Sequence, residues 1–496
     1  MAVSFNYIPS NIRVPLFYAE MDNSMANTAT ADKKSLLIGQ MSSDGAATAG
    51  TPVYVGSAAK AKTLFGRGSP LALMAEAYRN QDSSGELWCI PMSVKGTAAS
   101  GKIAVAGTAL ASGTIAIYIG GVKVPVTVAA GDAASAVEQA IIAAVNAAKD
   151  LPVTASDSDG TAVLAAKAQG IYGNDIQIAT NLQGAVGGEE DVSGIRLTIT
   201  AMADGAGEAA YKDAFAAVNT EAYWYIGIQD CDATVLDACK DEMNDSTGRW
   251  SYARMQYGHV WSAKRGDAEA LITFGKTRND QHASVFGVEP ENPVPAFVLA
   301  AAVTGRAAVF FTNDPARPLQ TGILSGLMVP AVEKRFSLAD RNSLLHNGIA
   351  TCYHSGGYTR IEREITTYQT NSFGDADNSY LDATTLYTLA EIVTELKTAV
   401  TSKYARHKLA NDGTRFGAGQ AIVTPKVIRS ELIAQYASME ERGLVENADL
   451  FAKYLVVERD NTDVNRLNVL LPPDLVNQLR VFALLAQFRL QYSDEA

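Results

Sequence analysis

The sequence holds few of the residues that build metal and redox centres: four cysteines and five histidines among 496 residues. No cysteines stand in C-x-x-C spacing and no histidines in H-x-x-x-H spacing, so neither a zinc site nor a disulfide framework is predicted. Scattered cysteines are typical of reduced thiols in a protein made in a cytoplasm. A G-x-S-x-G nucleophile elbow is also lacking. We therefore expect no metal site, no cofactor and no catalytic residue.

Positive charge and uninterrupted apolar runs are also scarce. Lysine and arginine number 41 against 53 acidic residues, a net charge of −12, which argues against nucleic acid as the main partner. The longest apolar run, Val294–Phe311, is broken by Pro295, Gly305 and Arg306, so it predicts a buried helix and not a membrane span. The first fifteen residues lack the basic and apolar regions of a signal peptide. We expect a soluble chain without membrane insertion.

The length predicts about three domains. Changes in composition and in hydrophobic pattern along the sequence indicate where they lie. Residues 31–92 and 204–345 alternate short apolar strands with amphipathic helices, for example helix 233–243 and strand 283–288. This alternation predicts an α/β core with a mostly parallel sheet. Residues 346–478 read as an α+β C-terminal domain. Residues 1–30 and 479–496 read as extended arms, because the first segment alternates like a strand and the last contains an apolar stretch, Leu479 to Tyr492.

Residues 93–203 have a different composition, rich in Gly, Ala, Thr and Val, and predict a small α+β domain inserted into a loop of the core. Two strands, Thr114–Ile119 and Val122–Val128, flank Gly120-Gly121 and predict a hairpin. Asp132 is predicted to cap a helix running from Ala133 to Lys149. Because this segment has its own helix and strands, we expect it to fold on its own and to project from the body.

Two helices and two strands are predicted in the C-terminal domain. The first helix is expected to begin at a cap formed by Asp377, Asn378 or Ser379 and to run to about Lys408. The second begins at Thr424-Pro425 and ends at Gly443. The strands are expected at Ala452–Glu458 and Arg466–Leu471, joined by a turn over residues 460–463.

One segment indicates a rival function. Gly205-Ala-Gly207-Glu-Ala-Ala210 follows a strand-like run, precedes a helix, and is followed by a strand ending at Asp230. This order imitates a dinucleotide-binding fingerprint, although alanine replaces the third glycine. The alternatives are a nucleotide-binding α/β enzyme and an ordinary strand-to-helix turn at the end of the insertion.

A basic stretch interrupts the acidic chain between residues 397 and 429. Seven cations face a single acid, Asp412, which gives a local charge of +6. Such a stretch is either a docking surface for an acidic partner or a solvated helix face. The candidate docking residues are Lys403, Arg406, Lys408, Arg415, Lys426 and Arg429.

Five motifs carry a resemblance to a known family. They are NDPARPLQT at Asn313–Thr321, RFSLADRN at Arg335–Asn342, LHNGIA at Leu345–Ala350, RIEREITTYQ at Arg360–Gln369 and GDADNSYLD at Gly374–Asp382. In combination the sequence resembles contractile phage tail sheath proteins, in particular those of phage Mu and its relatives.

The resemblance implies a virion protein, assembled in the host cytoplasm, that stacks as six-subunit rings around a tail tube. On triggering, the sheath shortens and drives the tube through the host envelope. The implied partners are further copies of the chain, the tail tube protein, and baseplate and tail terminator proteins. Sheath cores contain a domain described as subtilisin-like, a label that concerns fold and not activity. A non-contractile ring-forming tail or capsid protein is the structural alternative.

The resemblance also assigns the basic residues above to the tube-facing side and the two arms to contacts between subunits. In both arms we expect a strand that adds to a neighbouring subunit, on a sheet built from residues 452–458 and 466–471. The segment Leu479–Phe488 has two mostly apolar faces, so as a strand it needs cover on both sides. The alternative is that residues 479–492 fold back into their own core. The predicted arm residues are Val3, Phe5, Tyr7, Ile8, Leu479, Val481, Phe482, Leu484, Leu485 and Phe488.

Overall fold

The computed structural model describes residues 33–417 and 419–490. The predicted N-terminal arm residues Val3, Phe5, Tyr7 and Ile8 lie outside this part of the chain. The strands of the core are β1 (Ser35–Gln40), β2 (Val53–Tyr54), β3 (Leu87–Met92), β11 (Tyr225–Ile228), β12 (His259–Arg265) and β13 (Ala283–Val288). Its helices are α1 (Ala58–Phe65), α2 (Pro70–Arg79), α4 (Tyr211–Ala216), α5 (Ala233–Met243), α6 (Ala268–Gly275), α7 (Ala296–Asn313) and α8 (Leu338–Leu345).

These strands form one six-stranded sheet in the order β13-β12-β11-β1-β3-β2, parallel except for the short edge strand β2. Every residue of β1 is buried, because helices cover both faces. Leu37 packs in one apolar cluster with α2 and α7, whereas Leu36 and Ile38 pack in a second cluster with α4, α5, α6 and α8. The predicted α/β core with a mostly parallel sheet is confirmed.

The long apolar helix α7 is a core helix. It is apolar and long enough to cross a membrane, yet two thirds of it (67%) is buried inside the protein. It packs on α2, β11 and β12. Gly305 permits the close approach to α2, since a Cβ at this position would stand 2.7 Å from the carbonyl oxygen of Tyr78. The predicted buried helix is confirmed.

The segment between β3 and β11 builds two further sheets. Its elements are β4 (Ser100–Gly107), β5 (Gly113–Ile119), β6 (Val122–Val128), α3 (Ala134–Ala147), β7 (Val153–Asp157), β8 (Ala162–Ala166), β9 (Ile178–Thr180) and β10 (Ile195–Ala203). The sheets run β10-β4-β8-β7 and β6-β5-β9, with all neighbours antiparallel. The predicted hairpin at Gly120-Gly121 is confirmed, with Ile119 paired to Val122.

The predicted cap of α3 is wrong. Ala133 occupies the N-cap position, and it provides no side-chain hydrogen bond to the helix. The Asp132 carboxylate instead accepts from the backbone N–H of Ala129, 2.7 Å away. An aspartate that bonds a local turn cannot also bond the first turn of the helix, and sequence spacing alone does not show which partner wins.

The remaining strands are β14 (Ile323–Leu324), β15 (Thr351–Ser355), β16 (Tyr358–Arg363), β17 (Lys408–Leu409), β18 (Ile422–Val423), β19 (Val456–Arg459) and β20 (Leu467–Leu470). The remaining helices are α9 (Ala383–Tyr404), α10 (Pro425–Glu441) and α11 (Ala448–Tyr454). Strands β14, β16 and β15 form one antiparallel sheet. Helix α9 joins two apolar clusters: Tyr387 belongs to the core, and Ile392 packs with α10 and α11.

Two predictions in this region need correction. Helix α9 begins at Ala383, after Asp382 in the N-cap position, and ends at Tyr404 before Lys408. Asp377 does not cap it, because its carboxylate accepts from the Ser379 N–H at 2.8 Å and the Tyr368 hydroxyl at 2.7 Å. Residues 452–454, predicted as strand, form the end of α11. The Thr424 cap of α10 is confirmed by its hydrogen bond from the Val427 N–H.

Candidate assembly surfaces

Residues 476–490, here called the C-terminal segment, leave the body without pairing to any strand of the described chain. Its six predicted arm residues are 71% to 90% exposed. They are Leu479, Val481, Phe482, Leu484, Leu485 and Phe488. Up to residue 490 the segment does not fold back into its own core. A contiguous exposed run of large apolar side chains is unusual for a soluble monomer and marks an interaction surface.

The root of the C-terminal segment is held by backbone contacts and then by one buried ion pair. The Val476 N–H donates to the Leu444 carbonyl at 3.3 Å, and Leu475 forms a bridge with Val445. Four residues further on, Arg480 donates to both carboxylate oxygens of Glu364, at 2.6 and 3.2 Å. The Glu364 side chain is fully buried. The continuously exposed part of the segment, residues 481–490, therefore begins directly after a firmly attached residue.

A second ion pair completes this cluster. Arg480 Nη2 also lies 3.1 Å from Asp382 Oδ1, and Arg363 donates to both oxygens of Asp382 at 2.9 and 2.8 Å. The hydrogen bond to Asp382 raises the pKa of Arg363, against the effect of burial. Two cations and two anions balance, which is what a largely buried charge cluster requires.

The predicted receiving sheet exists as a two-stranded antiparallel hairpin of β19 and β20, here called the receiving hairpin. Val457 and Leu467 on one side pack toward the cluster of α10 and α11. Val456, Val469 and Leu470 are exposed. Among the described residues, neither strand has a second strand neighbour. Two strands alone are marginally stable, so both the open edges and the exposed apolar residues favour a further strand.

The basic residues divide into two groups. Lys403 pairs with Glu431, and Arg429 donates to the carbonyl of Ala452. The other four are exposed and form no ion pair with a described residue. These four, here called the basic surface, are Arg406, Lys408, Arg415 and Lys426.

The pairing of Lys403 is also reflected in its pKa. The hydrogen bond to Glu431 raises the pKa of Lys403, and the same contact lowers the pKa of the Glu431 carboxyl. Both groups lie near the surface, so the pair contributes little to stability. Lys403 is nevertheless a poorer candidate for an outside partner than the basic surface, since a partner must first displace Glu431.

The basic surface lies beside the receiving hairpin. Three of its members belong to the segment that joins α9 to α10, residues 405–424, and this segment contains β17 and β18. Arg459 of β19 donates to the side-chain oxygen of Asn411 in the same segment at 2.8 Å. One region of the C-terminal domain thus presents both exposed cations and an open strand edge.

The glycine-containing turn at residues 205–210, on which the alternative of a nucleotide-binding enzyme rests, does not have the structure of a dinucleotide site. Strand β10 before it is antiparallel to β4 in the inserted sheet, whereas β11 after it belongs to the core sheet, so no parallel β-α-β unit exists there. The N–H of Gly205 donates to Asn174 at 2.8 Å, and the N–H of Ala206 donates to Thr97 at 3.2 Å. These amides are not available to cradle a phosphate. The glycines serve a tight crossing, because a Cβ on Gly207 would stand 2.6 Å from the Lys95 carbonyl.

A cleft of about 460 Å³ lies at the carboxyl ends of β11 and β12, against residues 171–175 of the insertion. Burial raises the pKa of Asp230, which lines it, to about 6. The opposite wall is an ion pair between Arg265 and Asp175, and Asp175 also accepts from the N–H of Ala296 at the start of α7. Arg265 donates to the carbonyls of residues 289, 290, 292 and 294. Arg265 and Asp175 thus join the insertion to the core. The part of the chain described contains no group of three metal-ligating side chains.

Comparison with known proteins identifies the family. The phage tail sheath protein central domain matches residues 204–367, and the phage tail sheath C-terminal domain matches residues 375–489. The Mu-like prophage FluMu tail sheath protein of Haemophilus influenzae is 38% identical over 493 residues, which cover 98% of this chain and 100% of that protein. The chain belongs to the phage tail sheath protein family, a family of structural virion proteins.

A solved structure shows the same fold. The sheath tail protein of Desulfitobacterium hafniense aligns with a TM-score of 0.50 at 12% identity, over 94% of this chain and 97% of that one. The multi-domain α/β architecture is therefore that of a tail sheath protein. The sheath tail protein of Listeria innocua aligns with a TM-score of 0.48 at 12% identity, over 90% and 92% of the two chains.

The sequence did not predict the Arg480–Glu364–Asp382–Arg363 cluster. The two ends of the Arg480–Glu364 pair are 116 residues apart, and no local pattern connects them. The one available signal is the position of Arg480, a lone cation between Leu479 and Val481 in an otherwise apolar stretch. A charge in such a run indicates either solvent on one face or a buried partner.

Proposed function

We propose that this sheath subunit polymerises around a tail tube as stacked six-subunit rings and contracts to drive the tube through the host envelope. The single observation that carries the proposal is the C-terminal segment, which is apolar on both faces and exposed in the isolated chain. Exposure of these apolar side chains to water is unfavourable. Their burial against another subunit is favourable.

Strand addition is the mode of contact that suits the segment. In an extended strand, Val481 and Leu485 project to one face and Phe482, Leu484 and Phe488 to the other. A neighbour's receiving hairpin supplies backbone hydrogen bonds at its open edge and apolar contacts at Val469 and Leu470. Each hydrogen bond contributes only about 0.5–1.5 kcal/mol net, but the contact repeats in every subunit. Residues 3–8 are proposed to add to a neighbour in the same way.

The basic surface is proposed to face the tail tube. Its four cations are exposed and form no ion pair with a described residue, so no internal pair has to be broken when an acidic surface approaches. Exposed ion pairs are individually weak and depend on salt. They hold register and separate without disturbing an apolar core.

Further roles follow from the domain layout. Residues 93–203, with two sheets of their own, are proposed as an outward-facing domain, and the six-stranded core as the counterpart of the domain described as subtilisin-like. The chain is inferred to act without catalysis and to meet baseplate and terminator proteins at the ends of the sheath. Assembly in the host cytoplasm agrees with four cysteines that are all buried and unpaired.

Truncation tests whether the arms hold neighbouring subunits together. Deleting residues 481–496 removes the exposed apolar part of the C-terminal segment but keeps Arg480, so that Glu364 retains its partner. Residues 1–20 are deleted in a second variant. We expect both truncated chains to remain folded by circular dichroism and to form no cylinders in negative-stain electron micrographs. Cylinders of normal length and contraction from either truncated chain would show that the arms do not hold the sheath together.

A further inference from the structure

Helix α9 touches the roots of both arms. Asp382, directly before its first residue, lies 3.1 Å from Arg480 at the root of the C-terminal segment. Glu391, nine residues further along, lies 2.8 Å from Nζ of Lys33, the first described residue, two positions before β1. At 1.5 Å per residue the two attachment points are about 13 Å apart along the helix.

The attachment at Lys33 uses three groups. Besides Glu391, the Lys33 ammonium donates to the Phe311 carbonyl at 3.4 Å and lies 4.9 Å from the centre of the Trp224 ring. Only 11% of the Lys33 side chain is exposed. The next residue, Lys34, is already held, because its carbonyl accepts from the Trp224 N–H at 2.9 Å. Loss of the Lys33 contacts would therefore free almost no additional chain.

The attachment at Arg480 differs in this respect. Without the pairs of Arg480 to Glu364 and Asp382, the nearest upstream backbone hydrogen bond is that of Val476. Residues 476–480 would be retained only by side-chain contacts of Gln478 and Gln320, at 3.3 and 3.2 Å. Five extended residues span about 17 Å. That slack exceeds the spacing between neighbouring strands several-fold.

Helix α9 itself is fixed to the core at this end. The Tyr387 ring stacks on Phe311 at 4.5 Å and on Tyr225 at 5.4 Å between ring centres. Its hydroxyl donates to the Trp224 carbonyl at 2.9 Å and accepts from the Trp261 indole N–H at 3.3 Å. Position 387 lies between the two attachment points, so both roots are tied to one rigid unit of helix and sheet.

We propose that Arg480 is a positioning residue: through Glu364 and Asp382 it fixes the root of the C-terminal arm to α9, the same helix that holds the N-terminal arm at Lys33. The inference rests on the proposed function of the arms. A strand paired with a neighbour transmits the orientation of its own subunit only if its root cannot slide. The Arg480 cluster is thus a determinant of regular subunit geometry, and strand pairing beyond residue 480 is the determinant of association.

Neutral substitution separates the two roles. In a full-length chain carrying Glu364→Gln and Arg480→Gln, no unpaired charge is buried, and Arg363 still pairs with Asp382. The matched control carries Glu395→Gln and Arg442→Gln, which removes a bidentate ion pair between α9 and the end of α10 that contacts neither Lys33 nor Arg480. Arg480→Lys retains the positive charge. Folding is checked by circular dichroism, association by the critical concentration for polymer formation, and regularity by cryo-electron microscopy.

We expect the neutral double variant to polymerise at a critical concentration within about threefold of wild type, a change well under 1.4 kcal/mol, but to lose long-range helical order. The control chain is expected to keep its long-range helical order, and the Arg480→Lys chain to keep part of it. Unchanged order in the double variant overturns the inference, and so does a folded double variant that forms no polymer, since Arg480 would then act in association itself. Should the double variant unfold, the chain carrying Glu364→Met and Arg480→Met, in which apolar side chains replace the buried pair, is judged by the same two outcomes. Failure of the proposed function is recognised separately, by cylinders that form without residues 481–496.

Discussion

The aromatic residues of the C-terminal segment give the most direct measure of the proposed contact. Phe482 and Phe488 are 78% and 83% exposed in the isolated chain. An aromatic side chain buries about 150–250 Å² when fully covered, so each ring still offers about 120–200 Å² to a neighbour. At about 25 cal/mol per Å² this corresponds to about 3–5 kcal/mol per ring if a neighbouring subunit covers it completely.

Replacing either ring by alanine is expected to weaken association strongly. Half of the middle of this range, about 2 kcal/mol, corresponds to an approximately 30-fold rise in the critical concentration for polymer formation. The melting temperature of the unassembled subunit should not change, because neither ring is buried within it. Sedimentation of polymer over a concentration series measures the first quantity, and thermal unfolding by circular dichroism measures the second.

Phe373 provides the matched control. It is the same residue type, 88% exposed, and lies in a loop of the body away from the C-terminal segment. Phe373→Ala removes similar apolar surface without touching an arm. Equal critical concentrations for Phe482→Ala, Phe488→Ala and wild type would refute the reasoning. An effect of Phe373→Ala as large as theirs would show that general surface hydrophobicity is responsible.

Two further predictions concern the other proposed surfaces. Replacing the four residues of the basic surface by glutamate should abolish co-sedimentation with tail tubes while sparing self-polymerised sheath. As a control, replacing Lys95 and Lys102, which are exposed on the insertion, by glutamate should have no effect. Tube binding that is insensitive both to the basic-surface replacements and to salt would contradict the contact. Replacement of residues 93–203 by a short Gly/Ser linker should leave polymerisation intact. It should lower the melting temperature of the subunit, because Phe297 of the core loses its edge-to-face contact with Tyr172. A linker variant that folds but forms no polymers would contradict an outward-facing insertion.

Elements of the α/β core were predicted closely from the sequence. Helix 233–243 and strand 283–288 agree with the structure to the residue. The helix start is readable because Asp232 precedes it and accepts from the Val235 N–H at 3.0 Å, a signal of local origin. Strand β13 is readable because six consecutive residues are buried between helices, which produces a short continuous apolar run.

The failures lie where a residue has a choice of partners. Asp132, Asp377 and Asp382 all precede helices, but the first two bond local turns and the third bonds Arg363 and Arg480. Propensity does not decide between such partners, because a long-range ion pair becomes visible only in the folded chain. The prediction of residues 452–454 as strand fails for a related reason: a seven-residue helix followed one residue later by a strand offers too few residues for its period to be recognised.

The two kinds of proposed contact differ in strength, and that difference bears on how a sheath changes length. An arm that buries several large apolar side chains and adds a row of backbone hydrogen bonds is held by several kcal/mol. An exposed ion pair of the basic surface contributes at most about 1 kcal/mol and weakens with salt. When a structural change strains both, the charged contacts separate first and the arms persist. In the proposed assembly, with exposed cations on the segment joining α9 to α10 and apolar arms fixed at Arg480, the sheath would therefore release the tube before the subunits lose their connection.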